Sequence, residues 1–162
     1  MIRFWVGKGV DGFRMDAVPY LFEDQAFLDE PESGKPVIDE NDYNFLDHIY
    51  TFNLEGVYDM IGQFNEVIGE FEAVDGFDRV VMVEALSEDL SVEDLMRYYD
   101  SCDFAFNFNF IVHLESPLTA EGLLQQTNDW LDNMPEGKTA NWVVSTLYCD
   151  IFLPKDSKSI EI

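Results

Sequence analysis

Parallel β/α units, in a Rossmann-like open sheet or in a barrel, are the fold class this sequence predicts. Two observations carry it. Short runs rich in β-branched, aromatic and aliphatic residues alternate with longer stretches of helical period. Charged side chains then gather at the ends of two of those runs, on one side of the expected sheet.

Strands are expected over residues 12–18, 80–85, 104–111 and 141–144. Between the first two lies a long stretch, 24–44, with Pro31, Gly34, Pro36 and several acids, which reads as a loop. Val57, Ile61, Phe64, Ile68 and Phe71 follow at spacings of three and four, so one face of a helix is apolar. Ser91 followed by Glu93 and Asp94 predicts a capping box, opening a second helix through Leu95, Met96 and Tyr99. A third helix takes Ser116 and Pro117 as its start signal and Pro135 and Gly137 as its stop. Its expected buried side is Leu123, Leu124, Thr127, Trp130, Leu131 and Met134. After Val144 the alternation fails, and STLYCDIFLPKDSKSIEI shows neither helical period nor a bounded strand.

Composition narrows the function. With 162 residues, of which 47% are hydrophobic, the chain has the size and content of one domain with a sizeable core. Nine Lys and Arg stand against 33 Asp and Glu, for a formal charge of -24. No basic stripe is available for phosphates, which argues against nucleic acid and anionic membrane surfaces as partners. The acidity itself reads first as a solvated surface. Cys102 and Cys149 are too few and too far apart for a disulfide framework or a metal site, and read as buried thiols. The apolar run in MIRFWVGKGVDG is too short for a signal peptide, and no later run reaches the length of a membrane span. The expectation is a soluble chain without an export signal.

Strand parity singles out the chemistry. In GVDGFRMDAV, Phe13, Met15 and Ala17 share one face, where helices would bury them, and Gly12, Arg14 and Asp16 share the other. In VVMVEA, Val81, Val83 and Ala85 oppose Val80, Met82 and Glu84, so a second carboxylate arrives at the strand's C-terminal end on the same side. Taken singly, Asp16 with Arg14 reads first as an ion pair or a helix cap, and Glu84 reads as either structural or functional. Two acids on neighbouring parallel strands suit a retaining glycosidase, which needs carboxyl groups about 5–5.5 Å apart.

GVDGFRMDAVPYLFE resembles the fourth-strand motif of the α-amylase superfamily, glycoside hydrolase family 13, and VVMVEA resembles its fifth-strand motif. FLDEPESG, NDYNFLDHIYT, FNFNFI, TAEGL and NDWLDNMPEGKTANWV are similar to the insect-type maltases, the α-glucosidases of that family. The resemblance covers residues 3–144 and implies a (β/α)8 TIM barrel of which this chain supplies about strands four to seven. Residues 1–144 would form that partial catalytic barrel, and 145–162 a divergent tail. The implied activity is retaining hydrolysis of terminal α-glucosidic bonds of maltose- or sucrose-type sugars. Asp16 would be the nucleophile, Arg14 the residue that orients it, and Glu84 the general acid/base. No cofactor is required; some members hold a structural calcium near the loop after the fourth strand, and Glu23 with the backbone around Tyr20 and Leu21 resembles part of such a site, although the segment reads first as an ordinary acidic loop.

The departures from the pattern are equally definite. The family places a His and a third acid just after the seventh strand, near Thr146, Leu147 and Tyr148 here, and this sequence has neither there. Asp150 follows without a preceding His, and the two histidines, His48 and His113, fall in other loops. The expectation is a chain inactive on its own, whose full-length relatives are secreted or membrane-anchored in the gut. The alternative is a non-catalytic, maltase-like interaction protein, of the amino-acid-transporter heavy-subunit or gut-receptor type. A Rossmann-type binding module is disfavoured, since no GxGxxG follows a strand and precedes a helix.

Overall fold

The computed structural model describes residues 1–36, 39–87, 89–113 and 118–144. A parallel sheet of three strands organises it, β1 (Gly12–Met15), β2 (Val80–Val83) and β3 (Phe104–Ala105), in the order β1-β2-β3. Before β1 lies a short helix, α1 (Ile2–Val6), and α2 (Glu55–Asp75) carries the chain from β1 back to β2. The connection from β2 to β3 contains α3 (Val92–Arg97), and α4 (Asn109–Val112) and α5 (Ala120–Asn133) follow β3. Parallel pairing with helical crossovers is the predicted arrangement.

The core lies between the helices and one face of the sheet. Val81, Val83 and Ala85 are buried there against Val57, Ile61 and Ile68 of α2, together with Tyr98, Tyr99 and Trp130. In α2 the buried and half-buried positions follow the expected stripe, and Gly76 closes the helix in the left-handed region at φ 74, its N–H on the Glu72 carbonyl. The capping box at Ser91 forms with Asp94: the Asp94 N–H bonds the Ser91 hydroxyl, and Ser91 N–H the Asp94 carboxylate. Arg3 of α1 donates two hydrogen bonds to Glu70 of α2, at 2.5 and 2.9 Å.

Register depends on a close approach. Gly12 pairs with Val80, Arg14 with Met82 and Met15 with Val83, and a Cβ on Gly12 would stand 2.5 Å from the Val80 carbonyl oxygen. Only glycine lets the two backbones lie that close at the entry to the pair.

Several elements are shorter than expected. The first strand stops at Met15 rather than reaching residue 18, because Ala17 turns left-handed at φ 47 and a 3₁₀ turn with Pro19 inside it begins at Val18. Ala17 is exposed there, not packed under the helices. Of 80–85, the ladder takes Val80–Val83. Of 104–111, it takes Phe104–Ala105, since the Asn107 carboxamide accepts from Asn109 N–H and the chain coils into α4. Residues 141–144 form no assigned strand, although Val143 N–H bonds the Asn107 carbonyl at 3.1 Å and Asn141 bonds Asn107 N–H and the Ala105 carbonyl beside β3. Helix α5 is capped by Thr119, whose hydroxyl accepts from Gly122 N–H. The expected start signals Ser116 and Pro117 lie outside the described residues. On its expected buried side Trp130 is fully buried while Leu124 and Leu131 are exposed, because the surrounding elements reach only one flank of the helix.

Candidate active site

Parity holds where it matters for the site. The face of the sheet away from the helices presents Arg14 of β1, level with Met82 of β2 and Phe104 of β3. Beyond the strand ends the pairing continues: Glu84 N–H bonds the Met15 carbonyl at 2.8 Å and Phe106 N–H the Val83 carbonyl at 3.0 Å. Asp16, Glu84 and Phe106 therefore form the next row on the same face. The left-handed turn at Ala17 then brings Val18 N–H to the Glu84 carbonyl, 3.0 Å away, and ties the chain after Asp16 to the residue that carries the second acid.

One guanidinium nitrogen holds both acids. Arg14 Nη2 lies 2.9 Å from Asp16 Oδ1 and is also hydrogen-bonded to Glu84 Oε2. The sequence pointed to an Arg14–Asp16 partnership, and the fold adds Glu84, 70 positions along the chain. Arg14 also lies over the Phe106 ring, 5.6 Å from its centroid, which limits where the guanidinium can swing.

The two carboxyl groups have different surroundings. The Asp16 side chain keeps 75% of its surface in water and that of Glu84 only 19%. Burial pushes the Glu84 carboxyl above the ordinary glutamate range, and the neighbouring Asp16 carboxyl pushes the same way, while the Arg14 guanidinium opposes them. One exposed acid beside one that holds its proton more tightly is a pairing suited to acid/base work.

The remaining candidates lie elsewhere. Glu23 is exposed in the loop after the first 3₁₀ turn, and among the described residues no group of three or more His, Cys, Asp or Glu comes together to hold a metal ion. His48 stacks on the Tyr43 ring at 3.8 Å with Nε2 2.9 Å from the Tyr43 carbonyl, and His113 ends α4. Cys102 is a buried thiol, pushed up to about 12 by its burial. Cys149, Thr146, Leu147, Tyr148 and Asp150 lie outside the described residues. Among the described residues no helix is long and apolar enough to cross a membrane. Sequence reasoning passed over Phe106, although Phe104, Phe106 and Phe108 recur with period two and could have marked the site face.

The sequence family described as alpha amylase, catalytic domain, matches residues 1–146. Maltase A1 of Drosophila melanogaster is 39% identical over 157 residues, which is 89% of this chain and 27% of that protein. The alpha-glucosidase of Culex pipiens is 37% identical over 155 residues, 90% of this chain and 26% of its own length. An amino acid transporter heavy chain of Homo sapiens is 32% identical over 151 residues, 89% of this chain and 22% of that one. The chain thus spans about a quarter of the length of such relatives. The solved structure of an alpha-glucosyl transfer enzyme, XgtA, superposes with a TM-score of 0.62 at 24% identity, over 84% of this chain and 25% of that one, a likeness of fold.

Proposed function

The chain belongs to the alpha-amylase catalytic-domain family, and on that premise we propose that it is part of a retaining α-glucosidase acting on terminal α-glucosidic bonds of maltose- or sucrose-type sugars. The family's fold is the TIM barrel; we read the chain as covering about its strands four to seven, and the three-stranded parallel sheet here is a portion of that barrel. The observation that carries the reading is the single Arg14 nitrogen shared by Asp16 and Glu84. Two carboxyl groups that share one nitrogen stand close together, which supports the short separation of a retaining pair over the wider one of an inverting pair.

In the proposed reaction an Asp16 oxygen attacks the anomeric carbon as Glu84 gives its proton to the departing glycosidic oxygen. The glucosyl ester on Asp16 is then hydrolysed by a water whose proton returns to Glu84, so the carboxyl ends as it began. Arg14 keeps the Asp16 carboxylate aimed and balances the charge between the acids. Burial of Glu84 favours the protonated start. No His–Asp pair follows Val144 in this sequence, so the 162 residues by themselves hold two of the three acids expected, and we expect them alone to show no turnover.

The second reading, a maltase-like interaction protein, takes its support from the human transporter heavy chain among the relatives. Such a protein has no need of Asp16 and Glu84 brought together on one guanidinium. A chimera tests the choice: residues 1–144 replace the matching segment of a full-length insect maltase, which supplies the third acid. The chimera is expected to hydrolyse a chromogenic α-glucoside and to release α-glucose first, and Asp16→Asn or Glu84→Gln to cost about 10²-fold or more. A folded chimera without activity overturns the proposal.

A further inference from the structure

Arg14 is fastened to the two acids at one corner. Its ion pairs with Asp16 and with Glu84 both use the same nitrogen, Nη2. A guanidinium that grips a carboxylate with two nitrogens is fixed in its plane, whereas one that grips with a single nitrogen can still pivot about it. The Arg14 side chain keeps 53% of its surface in water, so solvent competes for the rest of the guanidinium. Holding one nitrogen on two acids therefore calls for a second restraint.

Phe106 supplies one. Its ring centroid lies 5.6 Å from the Arg14 guanidinium carbon, within the reach of a cation–π contact. The ring is itself held. Phe106 N–H bonds the Val83 carbonyl at 3.0 Å, which seats the residue in the row of Glu84 beyond the end of β2. Phe104 and Phe108 meet the Phe106 ring edge-on, with centroids at 6.0 and 6.1 Å and interplanar angles of 79° and 61°. An aromatic face attracts a planar cation laid over it; an aliphatic side chain fills the space without attracting the charge.

We propose that Phe106 is a positioning residue of the acid pair: its ring holds the Arg14 guanidinium so that Nη2 stays on Asp16 and Glu84 together. The proposal rests on the glycosidase reading for its catalytic meaning and on the geometry alone for the contact. Its chemical consequence falls on Glu84. Burial and the facing Asp16 carboxyl hold the Glu84 proton, and the facing Arg14 guanidinium opposes them. A guanidinium free to swing away leaves only the first two, and Glu84 then binds its proton more tightly. In the proposed reaction the group that gives a proton to the departing oxygen is thus tuned by a residue that carries no charge.

The Glu84 carboxyl is titrated by NMR in the 162-residue chain, its signal identified by its loss in Glu84→Gln. Phe106→Leu is expected to raise the titration midpoint, a gain of about two- to fivefold in proton affinity, the size of one cation–π contact. Phe106→Met is expected to give the same rise and serves if leucine disturbs the fold. Phe106→Tyr keeps the ring face and is expected to leave the midpoint in place. In an Arg14→Gln background Phe106→Leu is expected to change nothing further, since the ring acts through the guanidinium, whereas a loss of packing alone would shift Glu84 in both backgrounds. An unmoved midpoint in both Phe106→Leu and Phe106→Met overturns the proposal, and so does an equal shift with and without Arg14. The titration needs no substrate. A ring-dependent Glu84 beside a folded, inactive chimera leaves the positioning role standing and overturns the glycosidase reading alone; an active chimera with an unmoved midpoint does the reverse.

Discussion

The same substitution, glycine to alanine, is expected to act with opposite sign at two positions. At Gly12 the new methyl carbon would meet the Val80 carbonyl oxygen at 2.5 Å, where ordinary contact begins at 3.4 Å. About 0.9 Å must come from the backbone, because the obstacle is main chain and cannot rotate away. Forced separation of this kind costs about 1–3 kcal/mol. At Gly69, inside α2, the methyl meets nothing within 4 Å. Alanine there is worth about 0.5–1 kcal/mol in helix stability. The effect on the unfolded chain is the same kind for both variants, so the difference between them isolates the folded structure. Urea unfolding followed by circular dichroism is expected to place the Gly12→Ala and Gly69→Ala midpoints about 1 M apart, on opposite sides of wild type. A Gly12→Ala midpoint at or above wild type would refute the register derived for β1 and β2, and with it the route by which Arg14 reaches Glu84.

Glu84 sets a pH dependence. Its folded value lies above the unfolded one through burial, so its contribution to stability is full below the ordinary glutamate range and is lost as pH rises through the folded value. Glu84→Gln carries the neutral form at every pH, and it is expected to raise the melting temperature near pH 7 and leave it unchanged near pH 3. A lower melting temperature near neutrality would show the Arg14 pair, not burial, to dominate at this carboxyl. Ser91→Ala removes the capping box of α3 and is expected to cost about 1 kcal/mol in chemical denaturation. No measurable loss would mean that α3 is held by the packing of Leu95 and Met96 alone.

Much of the fold was readable from local pattern. The apolar spacing from Val57 to Phe71 is a property of consecutive residues of one helix and needs no tertiary partner to be seen, and the same is true of Ser91 with Asp94. Element lengths were less readable. Whether 104–111 continues as a strand depends on the Asn107 side chain capping Asn109 and on Asn141 reaching Ala105, contacts that alternation does not encode. The exposed Leu124 and Leu131 fit the helical period of α5 well, and only the arrangement of its neighbours left them uncovered. The long loop was marked as a loop by its prolines and acids, but the contact of its Tyr43 with Tyr20 was visible only once the chain was folded.

By itself the sequence determined the class of parallel β/α units, the family, and the side of the sheet on which Arg14, Asp16 and Glu84 stand. Those follow from side-chain periods of two and of about 3.6 and from motif spacing, all of which are written along the chain. The tertiary structure alone decided that Arg14 clasps both acids and that Glu84 is the one withdrawn from water. Those facts depend on register and on burial. Both are properties of strands meeting in space, and here the meeting depends on the missing side chain of Gly12.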